Sequence, residues 1–335
     1  MSGSFAELRA DAGALTLTRQ ADSSIFPHFA EPILDVPEST VALYGNVLGR
    51  YVQNASMAAD FETTAALVSH WWDDLTGSPP DTIISVDPAV LRALLSVTGP
   101  IPLGGQEPLT AENMIETLLV EPYRTLDPGE QTDLFESAVI ALVDQLVAGD
   151  VEPMALLRAL AEPAAAGSLT VWSADADTAA VLASSTLGGP SARQAAAGDG
   201  AFAVYFNDRT GGKMARLLRT EITAALGSCR DDAHREVVVT VTLHHDGDPS
   251  VASLPVSVTG GGYYGVPAGD IGTKITVAAP VGAFFGAVSE NGAPAQITTA
   301  VDAGHPSVSA QLLLSPGRAA PWSTASSSRR RMPST

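Results

Sequence analysis

Residues 60–101 read DFETTAALVSHWWDDLTGSPPDTIISVDPAVLRALLSVTGPI, and this stretch decides the fold. Asp60 stands where a carboxylate accepts hydrogen bonds from the open first turn of a helix. Phe61, Ala65, Val68, Trp72 and Leu75 then recur at spacings of four and three, which lays one apolar stripe along a helix stopping at Gly77. Residues 81–87 read as a short strand. Asp87-Pro88 supplies a cap and a first-turn proline, Val90, Leu91, Leu94 and Leu95 form the next stripe, and Gly99-Pro100 ends it. Helix, strand and helix in direct succession are the unit of an α/β layer.

Outward from this block the same signals recur. Residues 36–50 hold a short helix with a turn at Gly45-Asn46, and residues 19–36 form a polar, proline-punctuated loop, either a lid or a packed surface segment. Thr110-Ala111-Glu112-Asn113 opens a helix carrying Met114, Ile115, Leu118 and Leu119. Asp127-Pro128-Gly129-Glu130 has the pattern of a capping box, and its helix reaches Gly149. Helices follow over 152–161 and 175–187, and strands over 167–172 and 201–206.

The character changes near Ile222. Residues 237–243, 256–258, 274–277, 296–298 and 308–313 are short β-rich runs separated by Gly, Pro, Asn and Asp. The expected fold class is α/β, a mixed layered sheet with helices, followed by a C-terminal all-β sandwich-like module. Its expected parts are an α/β domain over 1–220, a sandwich over 221–316 and a disordered tail over 317–335. The tail is expected because Ala, Pro, Ser and Thr dominate after Gly317 and the chain finishes near Arg329-Arg330-Arg331. A phosphate contact by those arginines is the alternative.

Composition narrows the partners. The formal net charge of −19 disfavours broad binding to nucleic acid or anionic lipid. Hydrophobic residues make up 45% of the chain, enough to form true cores. As written, the sequence has no run of about 18 apolar residues and no charged-then-apolar leader, so neither a transmembrane helix nor a signal peptide is read in it. Cys229 is the single cysteine, which excludes an internal disulfide and a multi-cysteine metal site.

Four motifs have a chemical and a plain reading. Gly260-Gly261-Gly262-Tyr263-Tyr264-Gly265 matches a dinucleotide fingerprint in form, but Pro267, Gly269 and Gly272 follow where a helix must start, so it reads as a glycine-rich connection. Thr210-Gly211-Gly212-Lys213-Met214 resembles a phosphate loop without its first glycine or its final hydroxyl. With Asn207 and Asp208 it lies beyond a strand end, where α/β sheets hold ligands, or it is a turn whose Asp and Asn bind their own backbone. His244-His245-Asp246 would place adjacent imidazoles on opposite strand faces, unsuited to one metal. Asn54-Ala55-Ser56 matches a glycosylation acceptor by chance.

Asn54, Asp60-Phe61, Thr64-Ala65, Trp72, the strand into Asp87-Pro88, Gly99-Pro100, residues 109–113, Trp172-Ser173 and residues 207–214 together resemble the domain of unknown function 4012 family. The resemblance runs from about Gly3 to about Pro316. It implies a bacterial, mainly actinobacterial, cell-envelope protein whose domain lies outside the cytoplasm behind a membrane anchor, with no established activity. It also places a further strand and the anchor ahead of Ser2-Gly3-Ser4-Phe5, so a truncated start is expected. The hairpin read over 5–18 would then sit as a sheet edge without its usual neighbour.

Residues 82–101 are more weakly similar to the middle of LytR-CpsA-Psr cell-envelope transferases. That resemblance implies a polyprenyl-pyrophosphate-linked glycopolymer as partner and Mg2+ as cofactor, with arginines stabilising the departing pyrophosphate. The ligand-binding candidates are Arg9, Arg50, Asn54, Asn207, Asp208 and Lys213. Solvated arginines are the plain reading of the first two. Catalytic residues are not assigned, and whether the chain is an enzyme stays open. The other function weighed is a non-enzymatic extracellular binding or scaffolding protein.

Overall fold

A computed structural model describes residues 3–105, 107–148, 151–229 and 234–329. An α/β region is followed by a module of antiparallel sheets. By its internal contacts the chain divides into two compact units, Met1–Val36 with Asn46–Ala196, and Pro37–Gly45 with Ala197–Thr335.

In the first unit, β1 (Ser4–Asp11) and β2 (Ala14–Asp22) form the expected hairpin, turning at Ala12 and Gly13. Thr18 is the extra residue of a bulge in β2, and its hydroxyl donates to the Glu7 carbonyl at 3.2 Å. The helix Phe61–Thr76 starts as read: the Asp60 carboxylate accepts from the Glu62 and Thr63 amides at 3.3 and 3.1 Å. Its buried face is wider than the expected stripe, because Leu67 and Trp71 are also fully buried. Both pack with Phe26, Leu48, Val52 and Trp72, and Phe5 leans on this core. Residues 19–22 continue β2 rather than entering the loop, and Phe26 seats the following segment in the core.

The strand read over 81–87 is β3 (Thr82–Val86), paired antiparallel with β4 (Leu169–Ser173). The capping box is present: the Asp127 carboxylate accepts from the Glu130 amide, and the Glu130 carboxylate accepts from the Asp127 amide, both at 2.9 Å. The helix it opens, Pro128–Val147, contributes Leu134 and Ala138 to a second core with Leu95, Ile101, Leu109 and Met114.

The second unit is a sandwich. Its strands are β5 (Ala203–Asp208), β6 (Leu218–Cys229), β7 (His234–His245), β8 (Ile271–Ala278), β9 (Phe284–Glu290), β10 (Ala293–Pro294), β11 (Thr298–Asp302), β12 (His305–Leu314) and β13 (Ala319–Arg329). One sheet has the order β10-β9-β13-β7-β6, the other β11-β12-β8-β5. Alternate residues meet between them: Val239, Val241 and Leu243, Ile275 and Val277, Val308, Ala310, Leu312 and Leu314, and Trp322. The helix Glu38–Tyr44 belongs to this unit and lies against β11 and β12.

Three expectations are corrected here. Residues 319–329, assigned to a disordered tail over 317–335, form β13, which pairs with β7 on one side and β9 on the other. Its small polar side chains fit a tightly packed strand, and ladder hydrogen bonds compensate for its low hydrophobicity. Residues 330–335 lie outside the described residues. Residues 256–258 are not a strand but part of the helical turn Val256–Thr259, which the Pro255 carbonyl opens and Gly260, at φ 72°, closes. Finally, β5 pairs with β8, so residues 203–208 belong to the sandwich rather than to the α/β part, and the expected division at 220/221 shifts accordingly.

Candidate functional site

Asn207, Asp208 and Lys213 gather where β5 ends and β8 begins. The Asp208 carboxylate accepts from the Thr210 and Gly211 amides at 3.0 and 3.2 Å, so this acid closes its own turn. Thr210 is buried, and its hydroxyl accepts from the Gly272 amide at 3.1 Å. The Lys213 amide donates to the Val258 carbonyl at 2.8 Å, fastening the turn to the helical segment before Gly260. A Cβ at Gly212 would overlap the Val258 carbonyl, and one at Gly260 would overlap the Thr210 carbonyl. The two loops therefore touch backbone to backbone, which explains their glycines better than phosphate binding does.

Tyr263 and Tyr264 stand on this double loop, 79% and 64% exposed. The Tyr264 ring rests on Gly211, where any side chain would displace it. Asn207 lies opposite Lys274 of β8, which lies opposite Gln311 of β12, and the Arg209 guanidinium donates to the Gln311 amide oxygen. Rings and planar polar groups thus share one end of the four-stranded sheet. The sequence reading passed over Tyr263, Tyr264, Arg209 and Gln311. The signal for the tyrosines was present, an aromatic pair flanked by glycines, but the fingerprint reading weighed only the glycines.

Lys274 is 9% exposed and its ammonium donates to the Leu43 carbonyl at the C-terminal end of the helix Glu38–Tyr44. Burial pushes its pKa below the ordinary 10.5, and the nearby Arg209 charge adds to the effect. The folded chain then releases this proton before the unfolded chain does. Between the folded value and 10.5 the unfolded state binds more protons, so this group makes stability rise with pH, while below that window the buried charge carries a constant cost. Lys274→Met is expected to flatten the alkaline part of the stability profile, measured as the difference in urea midpoints between the two proteins across pH.

Of the first-unit candidates, Arg50 and Asn54 meet at one carbonyl, the Arg50 amide and the Asn54 side chain both donating to Val47. Arg9 is exposed on β1, opposite Thr16. The Arg50 Nε donates to the Phe29 carbonyl at 3.0 Å, and its guanidinium lies 5.6 Å from the centre of the Tyr51 ring. Asn54 sits in the turn Val52–Met57 and donates to the Val47 carbonyl at 3.5 Å. A groove of about 510 Å³ between β2 and the helix Pro128–Val147 is lined by Leu15, Leu17, Ile140, Val143 and Val147 among others, and includes none of the candidates.

His245 is buried, its Nε2 donating to the Gly269 carbonyl at 2.8 Å while its Nδ1 accepts from the Gly247 amide at 3.1 Å. His244 instead lies 3.5 Å from Glu221, so the adjacent imidazoles take separate partners. The backbone of Cys229 ends β6 and that of His234 begins β7; the turn read at Arg230-Asp231-Asp232 lies outside the described residues. Among the described residues no cluster of three or more His, Cys, Asp or Glu is placed to hold a metal ion, and no helix is long and apolar enough to cross a membrane.

The family model described as a protein of unknown function (DUF4012) matches residues 1–123. Comparison with curated proteins and with solved structures gives no match. Over residues 1–123 the chain is thus similar to the DUF4012 family, whose function is itself unassigned.

Proposed function

We propose that this chain is a non-enzymatic binding protein of the cell envelope, and that the loop end of its sandwich takes a saccharide. The observation that carries this reading is the pair Tyr263 and Tyr264, held in solvent on a loop whose glycines fix its shape. Adjacent exposed rings on a fixed loop are unusual, because burying aromatic surface is favourable. They suit a sugar ring, whose C–H face stacks on an aromatic ring while its hydroxyls turn to polar groups. Arg209, two residues before the Gly211 on which the Tyr264 ring rests, and its partner Gln311 offer further donors and acceptors, and the Asp208 carboxylate keeps lone pairs beyond its two amide contacts.

The transferase reading, with Mg2+ and a polyprenyl pyrophosphate, draws less support. Arg50 and Asp208, which it would use, are engaged with the Phe29 carbonyl and with a turn. The envelope location and the glycan as partner are part of the proposal, and both follow the resemblance.

Co-sedimentation with peptidoglycan and titration with soluble envelope polysaccharide test it. Wild type is expected to bind one of these probes. Tyr263→Ala with Tyr264→Ala is expected to weaken binding by about tenfold or more, from about 0.5–1.5 kcal/mol per ring. Its melting temperature should stay unchanged, since both rings are exposed. Equal binding by the double variant, or no binding of either probe by wild type, would overturn the reading.

A further inference from the structure

Arg209 and Lys274 bring two positive charges together at one end of the four-stranded sheet, with no acid between them. The Arg209 amide donates to the Gly272 carbonyl of β8 at 2.9 Å, and its side chain reaches on to β12, where Nη1 donates to the Gln311 amide oxygen. That oxygen is neutral, so the guanidinium keeps its full charge. Arg209 is exposed, and its Nε–H and Nη2–H edge has no protein acceptor among the described residues. Lys274 lies directly opposite Gln311 in the register, and its buried ammonium donates to the Leu43 carbonyl, again a neutral oxygen. Among the described residues no carboxylate lies within ion-pair distance of either cation. The neighbouring acid, Asp208, turns to the Thr210 and Gly211 amides instead. A chain of net charge −19 thus keeps two uncompensated cations together, one of them two residues from the Gly211 on which the Tyr264 ring rests.

We propose that these cations hold a carboxylate, so that the saccharide taken by the loop end is an acidic one; this inference rests on the saccharide reading. A guanidinium donates two parallel N–H bonds to the two oxygens of a carboxylate, and the open Nε and Nη2 edge of Arg209 has that shape. The Gln311 side-chain N–H groups add donors beside it. Lys274 acts as a charge rather than as a contact. Its ammonium and the Arg209 guanidinium repel one another, and a carboxylate at Arg209 offsets that repulsion. A doubly charged phosphate fits the same edge, but the acidic body opposes it more strongly than it opposes a single carboxylate.

Titration calorimetry of the full chain with oligogalacturonate and with its methyl ester, at about 0.15 M salt, tests the proposal. The two probes share their rings and differ in charge. Wild type is expected to bind the acid about tenfold or more tightly than the ester. Arg209→Gln should lower the affinity for the acid to that for the ester and leave the ester unchanged, and Arg209→Lys, which keeps the charge without the fork, should recover only part of the preference. Tyr263→Ala with Tyr264→Ala should weaken both probes alike. The melting temperature of the Arg209 variants should stay unchanged, because the side chain is exposed. A wild type that binds acid and ester alike, an Arg209→Gln protein that keeps the preference, or a wild type that sediments with peptidoglycan yet binds neither probe would overturn the carboxylate site and leave the saccharide reading standing. Stronger competition by inorganic phosphate than by acetate would assign the cations to phosphate and overturn it too. Binding of no saccharide probe at all would overturn both readings.

Discussion

Cutting the chain after Gly317 is expected to unfold the sandwich. The cut removes β13, which pairs with β7 along eleven residues and with β9 along six, and so splits the five-stranded sheet in two. It also removes Trp322, fully buried between the sheets. Trp322→Ala alone should cost about 3–5 kcal/mol, a large part of the roughly 5–15 kcal/mol that holds a domain together. The melting temperature should fall by about 10 °C. Trp322→Phe should cost much less, because the indole N–H has no hydrogen-bond partner among the described residues and its loss leaves nothing unsatisfied. Calorimetry of the three proteins checks the order. Equal stability of wild type and Trp322→Ala would place that side chain outside the core.

Thr40→Val is expected to loosen the helix Glu38–Tyr44 from the sandwich. The Thr40 hydroxyl donates to the Asp302 carboxylate at 2.6 Å, with both residues buried. Valine keeps the shape and removes the donor. A hydrogen bond to a charged group contributes about 1.5–3 kcal/mol, and the carboxylate would stay buried with that bond unmade. A helix of seven residues has little stability of its own, so it depends on this bond and on the Lys274 contact to Leu43. The urea midpoint should fall by about 1 M. Thr40→Ser, which restores the donor, should recover most of the loss. A midpoint unchanged in Thr40→Val would mean that the bond contributes nothing.

The parts of the fold that the sequence states locally were legible. Asp60, Asp87 and Asp127 announce helix starts because a capping carboxylate acts within three residues of itself. The runs in β7, β8 and β12 announce buried strands because β-branched and apolar residues persist along them. β13 was hidden for the opposite reason. Residues 319–329 are mostly Ala, Ser and Thr, and composition averages them into a tail. Yet Thr324 and Ser326 are buried on the same face as Trp322, and β7 and β9 on either side satisfy the backbone. The turn at 256–259 was misread because three β-branched or small residues suit a strand and a helical turn equally, and the flanking Pro255 and Gly260 decide between them.

The site was less legible than the fold. Arg50 and Asp208 drew attention as charges, but Arg50 binds a loop carbonyl and Asp208 closes a turn, roles that become visible only when the backbone is in place. Tyr263 and Tyr264 stand inside a glycine motif whose reading turns on its glycines, and only their exposure singles them out.

Hydrogen exchange across residues 319–329 tests most directly whether the sandwich that carries the tyrosine loop is completed by β13. Protection of these amides comparable to that of residues 237–243 in β7, and lost together with it on heating, is the predicted result. Exchange at the rate of an unstructured peptide would contradict the account.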